Sequence, residues 1–245
     1  MESVDVADGA EVSVAVLDPG SGETASYGGG VFETASIVKV DVLAALLLRA
    51  QDAGRTPTAE EKAYAAAMIQ SSDNDSASAL WRAIGAAEGL DAANERFGLT
   101  GTAGGDGPLW GLTRTTATDQ IALLRQVFGA TDTELGEASR AYVRGLMERI
   151  APGQRWGVSA AADGAAWALK NGWLRRSTTG LWVINSIGRV TAGGRDHLVA
   201  VLSRGNATRE EGIALTEAAA RAAVSVFTGD TGDTAGGAAG AQASS

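Results

Sequence analysis

Cysteine is absent from the 245 residues, which excludes disulfides, thiol catalysis and cysteine metal sites. Histidine occurs once, as His197. A Ser-His-Asp hydrolase would have to use that one residue as its base, and a zinc site of several histidines is excluded. Positive charge is in deficit: the formal net charge is −9 and the sequence pI about 4.7. An acidic surface repels nucleic acid and anionic lipid, so neither is expected as a partner. No apolar run approaches the roughly 20 residues that span a bilayer. Met1 to Glu11 is polar and acidic and carries no secretory hydrophobic region. Lysine is scarce as well, with only Lys39, Lys62 and Lys170 against seventeen arginines. Arginine cannot give up its proton, so a site that moves protons has to keep lysine where the rest of the chain prefers arginine.

What is present is the composition of a globular domain, 45% hydrophobic, on a chain long enough to bury a core without staples or metals. Val12 to Leu17 is a short apolar run, followed by the turn formers Asp18 to Gly22 and by a second strand, Glu23 to Tyr27. Ser36 to Ala50 is apolar nearly all round, as a helix buried in mid-domain should be. The middle of the chain is helical. Thr58 and Glu61 form a capping box for a helix to about Gln70. Asp75 or Ser76 caps a helix reaching Ile84, Asp91 to Phe97 forms a shorter one, Thr116 and Asp119 open one through Phe128, and Glu134 to Ile150 forms another. Gly101 to Thr113 has no periodicity and reads as a glycine-rich loop. The period then changes: Trp167 to Trp173, Leu181 to Val190 and Leu198 to Leu202 read as strands, and Thr208 to Phe227 as a final amphipathic helix. Gly229 to Ser245 is small and polar and reads as a disordered tail. The order predicts an α/β (α+β) domain over 1–228. Its antiparallel sheet of about five strands comes from both chain ends (1–50 and 155–228) and is flanked by helices, with an all-helical lobe (51–154) inserted.

Three short clusters carry candidate chemistry. Ser36 and Lys39 stand one turn apart at the start of the buried helix, where free backbone N–H groups and a partial positive charge favour an oxyanion. A lysine sunk in the apolar run from Ile37 to Leu48 is costly without a role, and when desolvated it can accept a proton from the serine. Ser72-Asp73-Asn74 falls in a turn between two helices. Its serine can pass a proton on and its asparagine amide can hold a carbonyl, although such a triplet is also an ordinary turn and cap. Lys170-Asn171-Gly172 falls in a strand, where lysine offers positive potential, or on an exposed edge is simply solvated, and glycine permits close backbone approach.

In that order and in those contexts the three clusters resemble the Ser-x-x-Lys, Ser-Asp-Asn and Lys-Thr-Gly motifs of class A β-lactamases and penicillin-binding proteins. The resemblance runs from about Glu11 to Phe227. It implies a β-lactamase/transpeptidase-like fold and an acyl-enzyme on Ser36. Lys39 would take the serine's proton, and Ser72, helped by Lys170, would protonate the leaving nitrogen. Asn74 would hold a substrate amide, and the backbone N–H groups of Ser36 and of Trp173, next to Gly172, would form the oxyanion hole. It also implies a small-molecule or peptide-like acyl substrate, no cofactor, no metal and a monomer. By analogy with such families the protein would act outside the cytoplasm or in the cell envelope.

Two departures bear on substrate and turnover. Asn171 stands where the family has Thr or Ser; its amide can still donate to a substrate carboxylate. The glutamate that activates the deacylating water in class A enzymes, within Glu-x-x-Leu-Asn, has no counterpart, since no glutamate occurs between Glu95 and Glu134. Asp106 is the only carboxylate in the 101–116 loop and reads first as a solvated turn residue. Acylation without efficient release suits a peptidase, esterase or amidase that is a poor β-lactamase. The alternatives are a β-lactamase with deacylation rearranged around Asp106, or a ligand-binding protein on the same fold. Trp110 reads as lining the cleft or packing under its loop, and Arg175 and Arg176 as meeting an anionic group or forming a solvated hairpin. His197 is expected to have no catalytic part.

Overall fold

The computed structural model describes residues 4–164 and 166–228; the expected tail from Gly229 onward lies outside the described residues. Strands β1 (Glu11–Leu17), β2 (Thr24–Tyr27), β5 (Trp167–Arg175), β6 (Trp182–Ala192) and β7 (Arg195–Asn206) form one antiparallel sheet in the order β2-β1-β7-β6-β5. The first and last parts of the chain therefore meet in its middle, where Val14 faces Val201 and Val16 faces Val199. Successive side chains alternate between the two faces. Val12, Val14, Val16, Val199 and Val201 pack with Leu215, Ala219 and Val224 of α7 (Arg209–Thr228). Ala15, Leu17, Leu198, Ala200 and Leu202 join the core of the helices on the opposite face.

That second core centres on α1 (Val38–Asp52), twelve of whose fifteen residues are buried. A helix buried on nearly all sides sinks the polar residues of its first turns, here Lys39 and Asp41, while Arg49, Gln51 and Asp52 near its end stay outside the core. Around it stand α2 (Ala59–Gln70), α3 (Asn74–Ile84), α4 (Ala86–Phe97), α5 (Ala117–Phe128) and α6 (Glu137–Met147). The expected capping box at α2 is formed in both directions, Glu61 N donating to Thr58 Oγ1 (3.1 Å) and Thr58 N to Glu61 Oε2 (2.7 Å). No helix among the described residues is long and apolar enough to cross a membrane.

Several boundaries differ from the sequence expectation. α3 is capped not by Asp75 or Ser76 but by Asp73, whose extended backbone lets its carboxylate accept from Ser76 N at 2.7 Å. α4 starts at Ala86 rather than Asp91. Gly85, at φ 98°, closes α3 and opens α4 in one residue, a left-handed joint that glycine takes without steric cost. α6 is shorter than expected at both ends, and β7 longer. The loop expected at 101–113 contains a 3₁₀ turn at Trp110–Leu112. Just after it, β4 (Arg114–Thr115) pairs with β3 (Phe32–Glu33), a two-residue ladder too short for any periodicity to reveal.

Candidate active site

Ser36 lies in a 3₁₀ turn, Ala35–Ile37, that leads directly into α1. The residue before it, Ala35, sits at φ 47°, and Ser72 of the second cluster at φ 58°. Neither is glycine, and left-handed backbone costs such residues roughly 1–2 kcal/mol. Strain of this kind persists where the surroundings over-determine it. Here the surroundings are visible. Asn185 of β6 donates through Nδ2 to the carbonyls of Glu33 (2.8 Å) and Thr34 (3.0 Å), while its Oδ1 accepts from Ser203 N (3.1 Å). Gly172 of β5 presses on the same turn. A Cβ there would stand 2.7 Å from Ser36 N and from Thr34 O, and 2.8 Å from Ile37 N. The third cluster therefore needs its glycine for close packing of strand against turn.

One helical turn after Ser36, Lys39 is 0% exposed. Its Nζ donates to Ser72 O (2.7 Å), Ser72 Oγ (3.0 Å) and Asn74 Oδ1 (2.8 Å). None of its hydrogen bonds reaches Ser36. Burial pulls the Lys39 amine down to about 8, against the opposing pull of Asp73. The Trp110 ring lies beside the same amine, centroid 4.9 Å from Nζ, and the indole is fixed by donating from Nε1 to Ser78 Oγ of α3 (3.1 Å).

Lys170 is likewise 0% exposed, so the solvated-edge alternative does not hold. Its Nζ donates to Ser72 Oγ (3.0 Å) and to Asn171 O (2.9 Å). Burial, then the charge of Lys39, hold it well below an ordinary lysine. All three clusters thus meet at Ser72. Asn74, at the first turn of α3, accepts from Lys39 through its carbonyl oxygen, and its amide nitrogen makes no hydrogen bond among the described residues.

Asn171 does not take up the role expected of it. Its Nδ2 donates to the carbonyls of Gln154 (2.8 Å) and Trp156 (2.9 Å), and its Oδ1 accepts from Ser186 Oγ (2.6 Å). Both amide hydrogens are spent, and none remains for a substrate carboxylate. The cause is strand parity: Lys170 and Gly172 face Ser72 and the Ser36 turn, which leaves Asn171 on the opposite face.

Ser36 and Asn74 open on a cleft of about 620 Å³, within the usual range for small-molecule sites. Leu109, Trp110, Leu112, Trp173 and Leu174 supply apolar wall, and Arg175 and Arg176 also line it. The Arg175 Nε donates to Gly180 O (2.9 Å), and Arg176 pairs with Glu33 at 3.5 Å. Trp173 packs against Trp156 and under the guanidinium of Arg209. The described residues lining the cleft include no carboxylate. Asp106 is exposed and outside that lining, as a solvated turn residue should be. His197 is buried on β7, stacked on Phe227, away from the cleft. Sequence reading missed Asn185 and Ser78. Asn185-Ser186 breaks the apolar stretch from Trp182 to Ile187, a signal that could have marked it; Ser78 carries none.

A sheet drawn from both chain ends, a helical lobe between, and a serine-bearing helix start beside two buried lysines define the architecture of the penicillin-recognising serine hydrolases. The model of the Beta-lactamase enzyme family matches residues 48–227, and the chain belongs to that family. The match includes the second and third clusters and begins after the first. LppW, a protein of Mycobacterium tuberculosis and Mycobacterium bovis named as a lipoprotein, is 28% identical over 172 residues, 68% of this chain. The chain spans about half the length, 55%, of these curated relatives. Among solved structures, a mutant of PBP-A in an acyl-enzyme complex with penicillin G is similar with TM-score 0.75 at 20% identity, over 90% of this chain and 91% of that one. A class A beta-lactamase from Mycobacterium abscessus is similar with TM-score 0.75 at 22% identity, over 89% and 94%. At these identities the two structures show the shared fold.

Proposed function

We propose that the protein is a serine acyl-enzyme former whose nucleophile is Ser36 and whose acyl group leaves slowly. The observation that carries this is the placement of one hydroxyl, Ser72 Oγ, at 3.0 Å from both Lys39 Nζ and Lys170 Nζ. In the proposed reaction the neutral amine of Lys39 accepts the proton of Ser36 as its Oγ attacks the substrate carbonyl. The oxyanion that forms is held by the backbone N–H groups of Ser36 and Trp173. Ser72 passes a proton to the leaving nitrogen, and Lys170 supplies positive potential beside it. Asn74, through its amide nitrogen, orients the substrate. The apolar walls and the two arginines suit an acyl compound with an apolar body and an anionic end. The cleft lining offers no carboxylate to activate water, which favours slow release over efficient β-lactam hydrolysis. The exposed position of Asp106 gives no support to deacylation rearranged around it.

The test is intact-mass analysis over time after mixing with penicillin G, with Ser36→Ala alongside. The expected result is a long-lived adduct on the parent protein and none on the variant. Rapid consumption of the drug with no accumulating adduct would contradict slow release. Neither adduct nor consumption would contradict penicillin recognition. An adduct of the same mass on Ser36→Ala would remove Ser36 from its assigned role.

A further inference from the structure

We infer that Trp110 is a positioning residue that keeps water away from the acylated Ser36 and keeps the Lys39 amine dry. This rests on the acyl-enzyme reading and concerns the step after it. Release of the acyl group requires a water oxygen to bond to the ester carbonyl carbon while the carbon–Oγ bond breaks. The water's proton must pass to an acceptor and a proton must return to Ser36 Oγ. Such a water needs both space and an acceptor.

The described residues lining the cleft at Ser36 supply no carboxylate as acceptor, and Trp110 is part of the apolar wall that a water would meet there. Its ring lines the same cleft as Ser36 and covers Lys39 at 4.9 Å. The indole is not a loose flap, since Nε1 is tied to Ser78 Oγ of α3 at 3.1 Å. The segment that carries it, Pro108-Leu109-Trp110-Gly111-Leu112, brings no charged side chain and no hydroxyl to hold a water. The hydrogen bonds of Lys39 are directed to Ser72 and Asn74, and the ring lies over the same amine, so the indole takes up room beside Nζ that water would otherwise fill. A carboxylate at this edge of the cleft would recruit water; an indole excludes it.

The charged groups that face Lys39 are Asp73 at the start of α3 and Lys170 on β5, with Asp41 buried two residues along α1 itself. Removing Trp110 changes none of these charges. It changes solvation, and desolvation is the largest influence on Lys39. Re-wetting therefore moves the amine back toward an ordinary lysine, in the opposite direction to burial.

Three proteins separate the possibilities: the parent, Trp110→Ala and Trp110→Phe, each labelled with penicillin G and followed by intact mass across pH. In Trp110→Ala the adduct half-life is expected to fall about tenfold, equivalent to about 1.4 kcal/mol of barrier. The inflection in its labelling rate is expected to move to higher pH. Trp110→Phe keeps a ring over the amine but loses the bond to Ser78, and is expected to remain close to the parent in both respects. An unchanged half-life and inflection in Trp110→Ala would overturn the inference. So would equal losses in Trp110→Phe, which would assign the effect to the Ser78 bond. A Trp110→Ala protein that no longer labels at all would make Trp110 a substrate-binding residue and overturn it too. Failure of the parent to label is a different result, since it strikes the acyl-enzyme reading itself.

Discussion

Lys39 and Lys170 share one hydroxyl: Ser72 Oγ lies 3.0 Å from each ammonium nitrogen, and both lysines are fully buried. Two buried cations on one small dipole are an expensive arrangement. Burial relieves it by lowering both amines, Lys39 to about 8 and Lys170 well below the ordinary lysine value, so the pair gives up charge readily.

The first prediction concerns pH. Lys39 accepts a proton only as the neutral amine, and burial places its titration at about 8. The labelling rate of Ser36 is therefore expected to rise with pH through about 8 and then level off. Lys39→Arg, which stays protonated, should lower it by about 10²–10⁴-fold. Folding stability should follow the same group. Between about 8 and the ordinary lysine value of 10.5, the unfolded chain holds a proton that the folded one does not. Stability contributed by this residue thus rises with pH in that window. A labelling rate flat from pH 6 to 10 would remove Lys39 from the proton path.

The second concerns Ser72. Ser72→Ala removes the oxygen that both amines share, while their other acceptors, Ser72 O, Asn74 Oδ1 and Asn171 O, remain. Adduct formation should slow by about 10²-fold or more, at the scale of a lost proton-transfer group. Thermal stability should fall as well, since each buried amine loses one acceptor, by about 1–3 kcal/mol for the two hydrogen bonds together. A variant that labels at the parent rate would show that the shared hydroxyl is structural only.

Gly172→Ala tests whether strand β5 truly fixes the turn of Ser36. The added methyl would meet three backbone atoms of that turn within 2.8 Å. Backbone cannot swing aside as a side chain can, so a loss of about 1–3 kcal/mol is expected from overpacking. Labelling should fall together with melting temperature, measured by calorimetry. A variant with parental stability and labelling would show that the turn is free to move.

Asp41 gives a prediction of opposite sign. It is buried on α1, and burial raises its carboxyl to about 8. With its amide turned to donate, Asn94 reaches both carboxyl oxygens, at 3.0 and 3.1 Å. From the ordinary value of 3.8 up to about 8, the folded state holds the proton and the unfolded state does not. Stability contributed here therefore declines as pH rises across that window. Asp41→Asn should melt several degrees higher than the parent at pH 8 and gain nothing at pH 4, at about 2–4 °C per kcal/mol for a chain of this size. Equal melting shifts at both pH values would refute the assignment.

Much of this was legible in the sequence, for identifiable reasons. The apolar run Val12 to Leu17 and the nearly all-round apolarity of Ser36 to Ala50 reflect burial directly, so the first strand of the sheet and the central helix could be read. Lysine scarcity drew attention to Lys39 and Lys170 before any contact was visible. What remained hidden depends on partners distant in sequence. Nothing near Trp110 announces that it will lie over Lys39, because that contact joins an aperiodic loop to a helix some seventy residues earlier. Gly85 serves two helices at once, and boundary rules that assign one cap to one helix misplace α4. The rear-facing side chain of Asn171 was readable in principle. Strand parity requires it once Lys170 points inward, but motif matching compares residue types and ignores which way they face.

That rear-facing amide has a mechanical consequence. Residues Gln154 to Trp156 are where the chain returns from the helices to the sheet, and Asn171 holds their carbonyls with both of its amide hydrogens. The strand that carries Lys170 on one side is thus bolted on its other side to the crossing between the two halves of the molecule. Opening the cleft by moving that crossing would shear these two bonds. The aperture that a ligand meets is accordingly set from behind, by a residue it never touches.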